Sequence, residues 1–104
     1  VKISEKLPLS VGDGKKCMHL NYCAGRVIRR LRRERQMSGD VFGGIAGYSQ
    51  QQISHYERGE SVFTLPVLML FADALGMTLW ALLDQVRVFC LHNEEDYIFP
   101  DKWG

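Results

Sequence analysis

The chain has 104 residues, 46% of them apolar, and a net charge of +1. That length allows one domain with a modest core, and the apolar share is that of a globular chain, not a disordered one. No apolar run approaches the ~18 residues of a membrane span, and the N-terminal residues show no signal-peptide pattern.

The small net charge conceals a polarity. Residues 15–58 carry nine cations and three anions, net +6, whereas residues 59–104 carry two cations and seven anions, net −5. This distribution turns one half of the chain toward a polyanion, although an arginine-rich solvated helix produces a basic segment too.

In chain order, residues 1–21 contain Pro8, Gly12 and Gly14 and little periodicity. They are expected to form an arm or lead-in, with Lys15 and Lys16 near phosphate or simply mobile. The domain proper is expected over residues 22–89. Its first helix runs from Ala24 to Arg35, with Val27, Ile28 and Leu31 on one face and arginines elsewhere. Ser38 caps a second helix, Gly39–Ala46, which is poor by propensity. Gly39, Gly43 and Gly44 each cost about 1 kcal/mol against alanine, so packing must hold it. Glycines there also permit close backbone approach.

Gly47–Tyr48 is a tight turn. Ser49 caps a third helix, Gln50–Arg58, which Gly59 ends. Thr64 caps a fourth, with Pro66 in its first turn and Leu65, Leu68, Ala72 and Leu75 on its inner face, and Gly76 terminates it. Thr78 caps a fifth that reaches at least Leu83 and extends toward Phe89. Residues 90–104 form an acidic tail in which Tyr97–Phe99 has strand-like composition. The expected class is all-α, with five helices.

Two short helices around a glycine turn match the helix-turn-helix unit. Ile53 and Tyr56 of the third helix face the core. Gln50, Gln51, Ser54, His55 and Arg58 face outward, and Gln51, His55 and Arg58 share a stripe at i, i+4 and i+7. A glutamine amide offers a donor and an acceptor together and can pair with adenine N6 and N7 in the major groove. Arg58 and the hydroxyls of Ser49 and Ser54 suit phosphate, as does the N-terminus of the helix. A polar stripe on a short helix is ordinarily just a solvated face, so its setting must decide the matter.

That setting resembles the Cro/C1-type (XRE-type) helix-turn-helix regulators of bacteria and phages. The likeness spans roughly Ala24 to Leu83. I-x-x-L-R-x-E-R is Ile28, Leu31, Arg32, Glu34 and Arg35; the turn G-x-S is Gly47 and Ser49. I-S-x-x-E-x-G is Ile53, Ser54, Glu57 and Gly59, and Ala72, Leu75 and Gly76 close the series. The wording S-Q-Q-Q-I-S-x-Y-E-x-G also looks like the MrpJ-type regulators encoded with fimbrial operons. The resemblance implies base reading by Gln50, Gln51 and His55, with Gln52 or Ser54 in support. It also implies a structural ion pair between Arg32 and Glu57, consistent with the cost of a buried charge left alone. Three positions depart from the pattern. Gly39 stands where a phosphate-supporting glutamine is usual, Phe42-Gly43 replaces Leu-Ala, and Phe63 replaces a proline before the fourth helix.

In the family frame Pro66, Met69, Leu70 and Asp73 face solvent, and Trp80 takes a position usually charged. Met69, Leu70 and Trp80 are therefore expected to form an apolar interface patch. The tail, through Phe89, Tyr97, Ile98, Phe99 or Trp103, covers it, or it makes a homodimer, or both hold if the tail builds the dimer contact; the expectation is a homodimer through the C-terminal half. A dimer would set two recognition helices about 34 Å apart on a near-palindromic site.

Cys17, Cys23 and Cys90 are an odd count without a C-x-x-C pair, which argues for reduced thiols and against a disulfide framework or zinc knuckle. His19 and His92 have no partner at metal spacing, and no phosphate loop or nucleophile–base set is visible. The expectation is therefore a cytoplasmic, nucleoid-associated regulator of transcription, a repressor, without enzymatic activity, metal, cofactor or evident small-molecule effector. Double-stranded DNA is its expected partner. The alternative is an antitoxin or protein-interaction module of the same fold that uses its apolar C-terminal half.

Overall fold

The computed structural model describes residues 14–92, with side chains from residue 19 onward. The described residues are helical with short connections: α1 (Gly14–Glu34), α2 (Gly39–Ala46), α3 (Gln50–Glu57), α4 (Leu65–Ala74) and α5 (Leu79–His92). There is no strand among them, and the all-α expectation holds. The proposed strand at Tyr97–Phe99, the arm before residue 14 and the tail from residue 93 lie outside the described residues.

The first helix departs from expectation. It starts at Gly14, ten residues before Ala24, so residues 14–21 are helical and not part of a lead-in. The 3–4 apolar spacing that marks its core face begins at Cys23 and Ala24 and continues through Val27, Ile28 and Leu31, all buried. Upstream, among the residues whose side chains are described, the buried ones are His19 and Asn21, polar types that a hydrophobic-period reading passes over.

The next three helices begin where their caps predict. Ser38 accepts from Val41 N–H, Ser49 from Gln52 N–H and Thr64 from Val67 N–H. Thr78 Oγ1 accepts from Ala81 N–H at 3.0 Å at the start of α5. Each such cap satisfies one N–H left over at a helix start and contributes about 1 kcal/mol. The inner face of α4 is Leu68, Phe71, Ala72 and Leu75; Leu65, expected on that face, is exposed. The 3–4 pattern therefore runs through Phe71, and Leu65 in the first turn lies off the stripe.

Phe71 is the centre of the core. Phe42, Tyr48, Tyr56 and Phe63 meet its ring edge-on at centroid distances of 5.3, 5.4, 5.2 and 5.9 Å. Such edge-to-face pairs add about 0.5–1.5 kcal/mol each beyond area burial. They bring α2, the turn after it, α3 and the loop before α4 onto one residue. The Phe42-Gly43 departure has its reason here. Phe42 is fully buried in this cluster, and a Cβ on Gly43 would collide with the Tyr48 carbonyl oxygen and press on Ile53. The glycine lets α2 sit against the start of α3, whereas Gly44 has open space around it.

Candidate nucleic-acid interface

Three polar groups fix α3 before any reach outward. Ser49 and Gln52 form a complete capping box: Gln52 N–H donates to Ser49 Oγ (3.1 Å), and Ser49 N–H to Gln52 Oε1 (2.8 Å). At the other end, Arg32 on α1 holds Glu57 in a two-pronged pair, Nε to Oε2 at 2.7 Å and Nη2 to Oε1 at 3.0 Å, and its Nη1 donates to the Met37 carbonyl at 2.8 Å. Glu57 is 5% exposed. Its hydrogen bonds hold the Arg32 guanidinium above its ordinary pKa against the opposing effect of burial. The Arg32–Glu57 pair is thus formed as expected. Gln52, expected in support of base reading, has its amide oxygen committed to the cap.

Beneath α3 the backbones touch. A Cβ on Gly25 of α1 would lie 2.5 Å from the Tyr56 carbonyl oxygen and 2.7 Å from that of Glu57. Only glycine permits this approach. Helix α3 is therefore held by α1 at its C-terminal end, by α2 at its start and by Phe71 on its inner side.

The outward side chains divide into two groups. Gln50 and Gln51 are exposed at the start of α3. Ser54, His55 and Arg58 face the same side but converge on one another and on Glu60. Arg58 donates to Glu60 through Nε and Nη2, both at 3.1 Å, and hydrogen-bonds Ser54 Oγ. His55 Nδ1 lies 3.1 Å from Glu60 Oε1. Hydrogen bonding from Arg58, with charge from His55 besides, draws the Glu60 carboxyl below its usual range. Glu60 was not singled out from the sequence; its position two residues after Arg58, across the glycine, was the available signal.

Between α1, α2 and α3 lies a cleft of about 310 Å³, lined by Arg29, Arg32, Gly39, Gln50, Ile53, Ser54, Glu57 and Arg58. Arg29 Nε is buried there without a hydrogen-bond partner. Gly39, the position of the absent glutamine, forms part of the wall, and a Cβ on it would make ordinary contact, 3.4 Å, with Gln50 Cγ. The cleft presents guanidinium groups beside the exposed glutamines, which suits a phosphate oxygen. The arginines of α1 and the turn after it have separate roles that charge counting merged: Arg30 donates to Gln85 on α5 at 2.6 Å, and Arg35, just past the end of α1, caps α4 by donating to the Leu75 carbonyl at 2.7 Å.

The loop after α3 is set by a residue that the sequence reading missed. Asn21 Nδ2 donates to the carbonyls of Gly59 (3.2 Å) and Ser61 (2.8 Å), and its Oδ1 accepts from Phe63 N–H at 2.8 Å. A proline at 63 has no N–H to give, so the departure from the family pattern at that position matches this clamp.

Met69, Leu70 and Trp80 are exposed, as expected, with Trp80 at 73%. A separate apolar groove of about 390 Å³ runs between α1, α5 and the loop before α4, lined by Leu20, Ala24, Val62, Phe63, Leu83 and Val86 among others. The three expected interface residues are not among those lining it. No single helix among the described residues is long and apolar enough to cross a membrane. Away from α3, His19, Cys23 and Cys90 come together as a set of groups able to ligate a metal.

Residues 24–84 match the family model of a helix-turn-helix domain. No curated protein matches the chain.

Proposed function

The chain belongs to the helix-turn-helix domain family, and on that premise we propose that it is a sequence-specific regulator of transcription that reads the major groove of double-stranded DNA with α3. Within the family we place it with the Cro/C1-type regulators, in the subgroup of MrpJ-type proteins, on the motif wording of residues 49–59. The supporting observation is the division of labour on α3. Ser49, Gln52 and Glu57 are engaged in holding the helix, which leaves Gln50 and Gln51 exposed at its leading end. Gln50 and Gln51 read bases, and His55 and Ser54 flank them. Arg58 and Arg29 bind phosphates on either side. Ser49 and Gln52 contribute by aiming the helix N-terminus.

Repression is the sign of regulation we infer, because occupying an operator needs no further surface. The regulator acts as a homodimer whose contact includes the exposed apolar residues of α4 and α5, Met69, Leu70 and Trp80. A second reading, a protein-interaction module such as an antitoxin, is favoured by the apolar groove alongside α5.

Selection of binding sites from a random duplex pool tests the first reading. It is expected to return a near-palindromic sequence, bound with an affinity that falls steeply with salt as counterions are released. Failure to enrich any sequence, together with salt-insensitive capture of a coexpressed partner chain, would favour the second. Sedimentation giving a monomer at roughly tens of micromolar protein would remove the dimer.

A further inference from the structure

His19 and Cys23 lie one helical turn apart on α1, so both side chains occupy the same face. His19 is 7% exposed and Cys23 is fully buried. Cys90 reaches them from the last turns of α5. The ligating atoms of all three lie within 4.8 Å of one another, and Cys23 Sγ is 3.5 Å from a ring nitrogen of His19, Nε2.

These separations suit a bound ion. Bonds of about 2.3 Å to sulfur and 2.0–2.1 Å to nitrogen, at tetrahedral angles, set an S···N edge of about 3.5 Å and an S···S edge of about 3.8 Å. The His19–Cys23 edge already has the first length. From separations of at most 4.8 Å, the Cys23–Cys90 edge closes by about 1 Å at most and the His19–Cys90 edge by about 1.3 Å at most. Core packing alone accounts for Cys23, since a thiol behaves as a small hydrophobe. It gives no reason for an imidazole and a second thiol from a distant helix to converge on the same sulfur.

We propose that His19, Cys23 and Cys90 bind one zinc ion that ties the N-terminal half of α1 to the end of α5. Two thiolates and an imidazole select a thiophilic cation over magnesium or calcium. With Zn²⁺ the set is electrically neutral, which suits a buried position; Cu⁺ would leave one negative charge there. Coordination replaces two S–H bonds with S–Zn bonds and passes both protons to solvent. The fourth tetrahedral position is left for water. Asn21, which clamps the loop after α3, lies between the two ligands on α1, so loading the site stiffens that turn.

The test uses the full chain, reduced and stripped of metal with a chelator. On titration with Zn²⁺ it is expected to take up one equivalent and to melt at a higher temperature. With Co²⁺ it is expected to show thiolate-to-metal charge-transfer absorption in the near ultraviolet. Cys90→Ser, a near-isosteric change at a partly buried site whose folding is checked by circular dichroism, is expected to weaken zinc by more than about 100-fold, beyond the 10–100-fold typical of losing an outer-shell partner. His19→Gln is expected to do the same, and Cys17→Ser to bind as the parent does. Equal retention by Cys90→Ser, loss in Cys17→Ser, uptake of Cu⁺ but not Zn²⁺, or a Cys23–Cys90 disulfide forming in place of metal uptake would each overturn the proposal.

Discussion

Replacing Arg32 with methionine removes the guanidinium that makes two hydrogen bonds to Glu57 and one to the Met37 carbonyl. The side chains of the pair are only 13% and 7% exposed, so water cannot substitute for the lost partner. A buried carboxylate left without its cation costs about 3–5 kcal/mol, against a total stability of roughly 5–15 kcal/mol for a domain. At about 4–8 °C per kcal/mol for a chain of this size, the melting temperature is expected to fall by more than about 12 °C. Glu57→Leu alone strands the arginine and is expected to cost a similar amount. The double variant Arg32→Met/Glu57→Leu removes both charges and fills the space with apolar atoms. It should lose less than either single change, giving a coupling energy of at least about 2 kcal/mol in a double-mutant cycle. Urea unfolding followed by circular dichroism measures all four proteins. Additive losses, or a single-variant cost below about 1 kcal/mol, would refute the claim that this pair anchors α3 to α1.

Three further outcomes follow from the geometry of the α3 face and its clamp. Gln51→Ala is expected to leave affinity for random duplex unchanged while reducing discrimination at one base position by about 1–3 kcal/mol, whereas Arg58→Ala weakens all duplexes alike; competition binding separates the two. Glu60→Gln removes the carboxylate that occupies Arg58 and is expected to raise affinity for any duplex and steepen the log–log salt slope by about one. Lowering the pH acts in the same direction on DNA. For folding the sign is opposite: the depressed carboxyl of Glu60 stabilises the folded chain above its ordinary pKa, and that contribution is lost as pH falls through its lower folded value. Asn21→Ala strands Phe63 N–H and the Gly59 and Ser61 carbonyls and is expected to cost about 2–4 kcal/mol in urea unfolding, with the loop around residues 59–63 losing hydrogen-exchange protection.

The helix starts and turns were legible because short-range chemistry sets them. Ser38, Ser49 and Thr64 cap at the expected positions, and α3 ends at Glu57, one residue before the expected Arg58, with Gly59 in the left-handed conformation just beyond its C-cap. Arg32 and Glu57 were legible only through the family resemblance, since nothing local links residues 25 positions apart. What escaped notice was long-range and polar. Ahead of Cys23, the described buried side chains of α1 are His19 and Asn21, with Leu20 exposed between them, so the helical period there is silent on a hydrophobic scale. Arg29, Glu60 and Gly25 look like ordinary surface or helix residues until their neighbours are known. Cys23 and Cys90 share no local spacing, and only the packing of α1 on α5 brings them together.

The Asn21 clamp bears on what can be moved. Residues 24–84, the segment shared with other family members, stop short of Asn21, yet the loop that follows α3 hangs from it. A hybrid made by grafting that segment alone would inherit the proposed reading helix without its hinge pin. Phe63 N–H and two carbonyls would be left to solvent, and the glutamines would be aimed less firmly than in the parent. The transplantable piece is longer than the recognisable one, and its edge lies at or before Asn21.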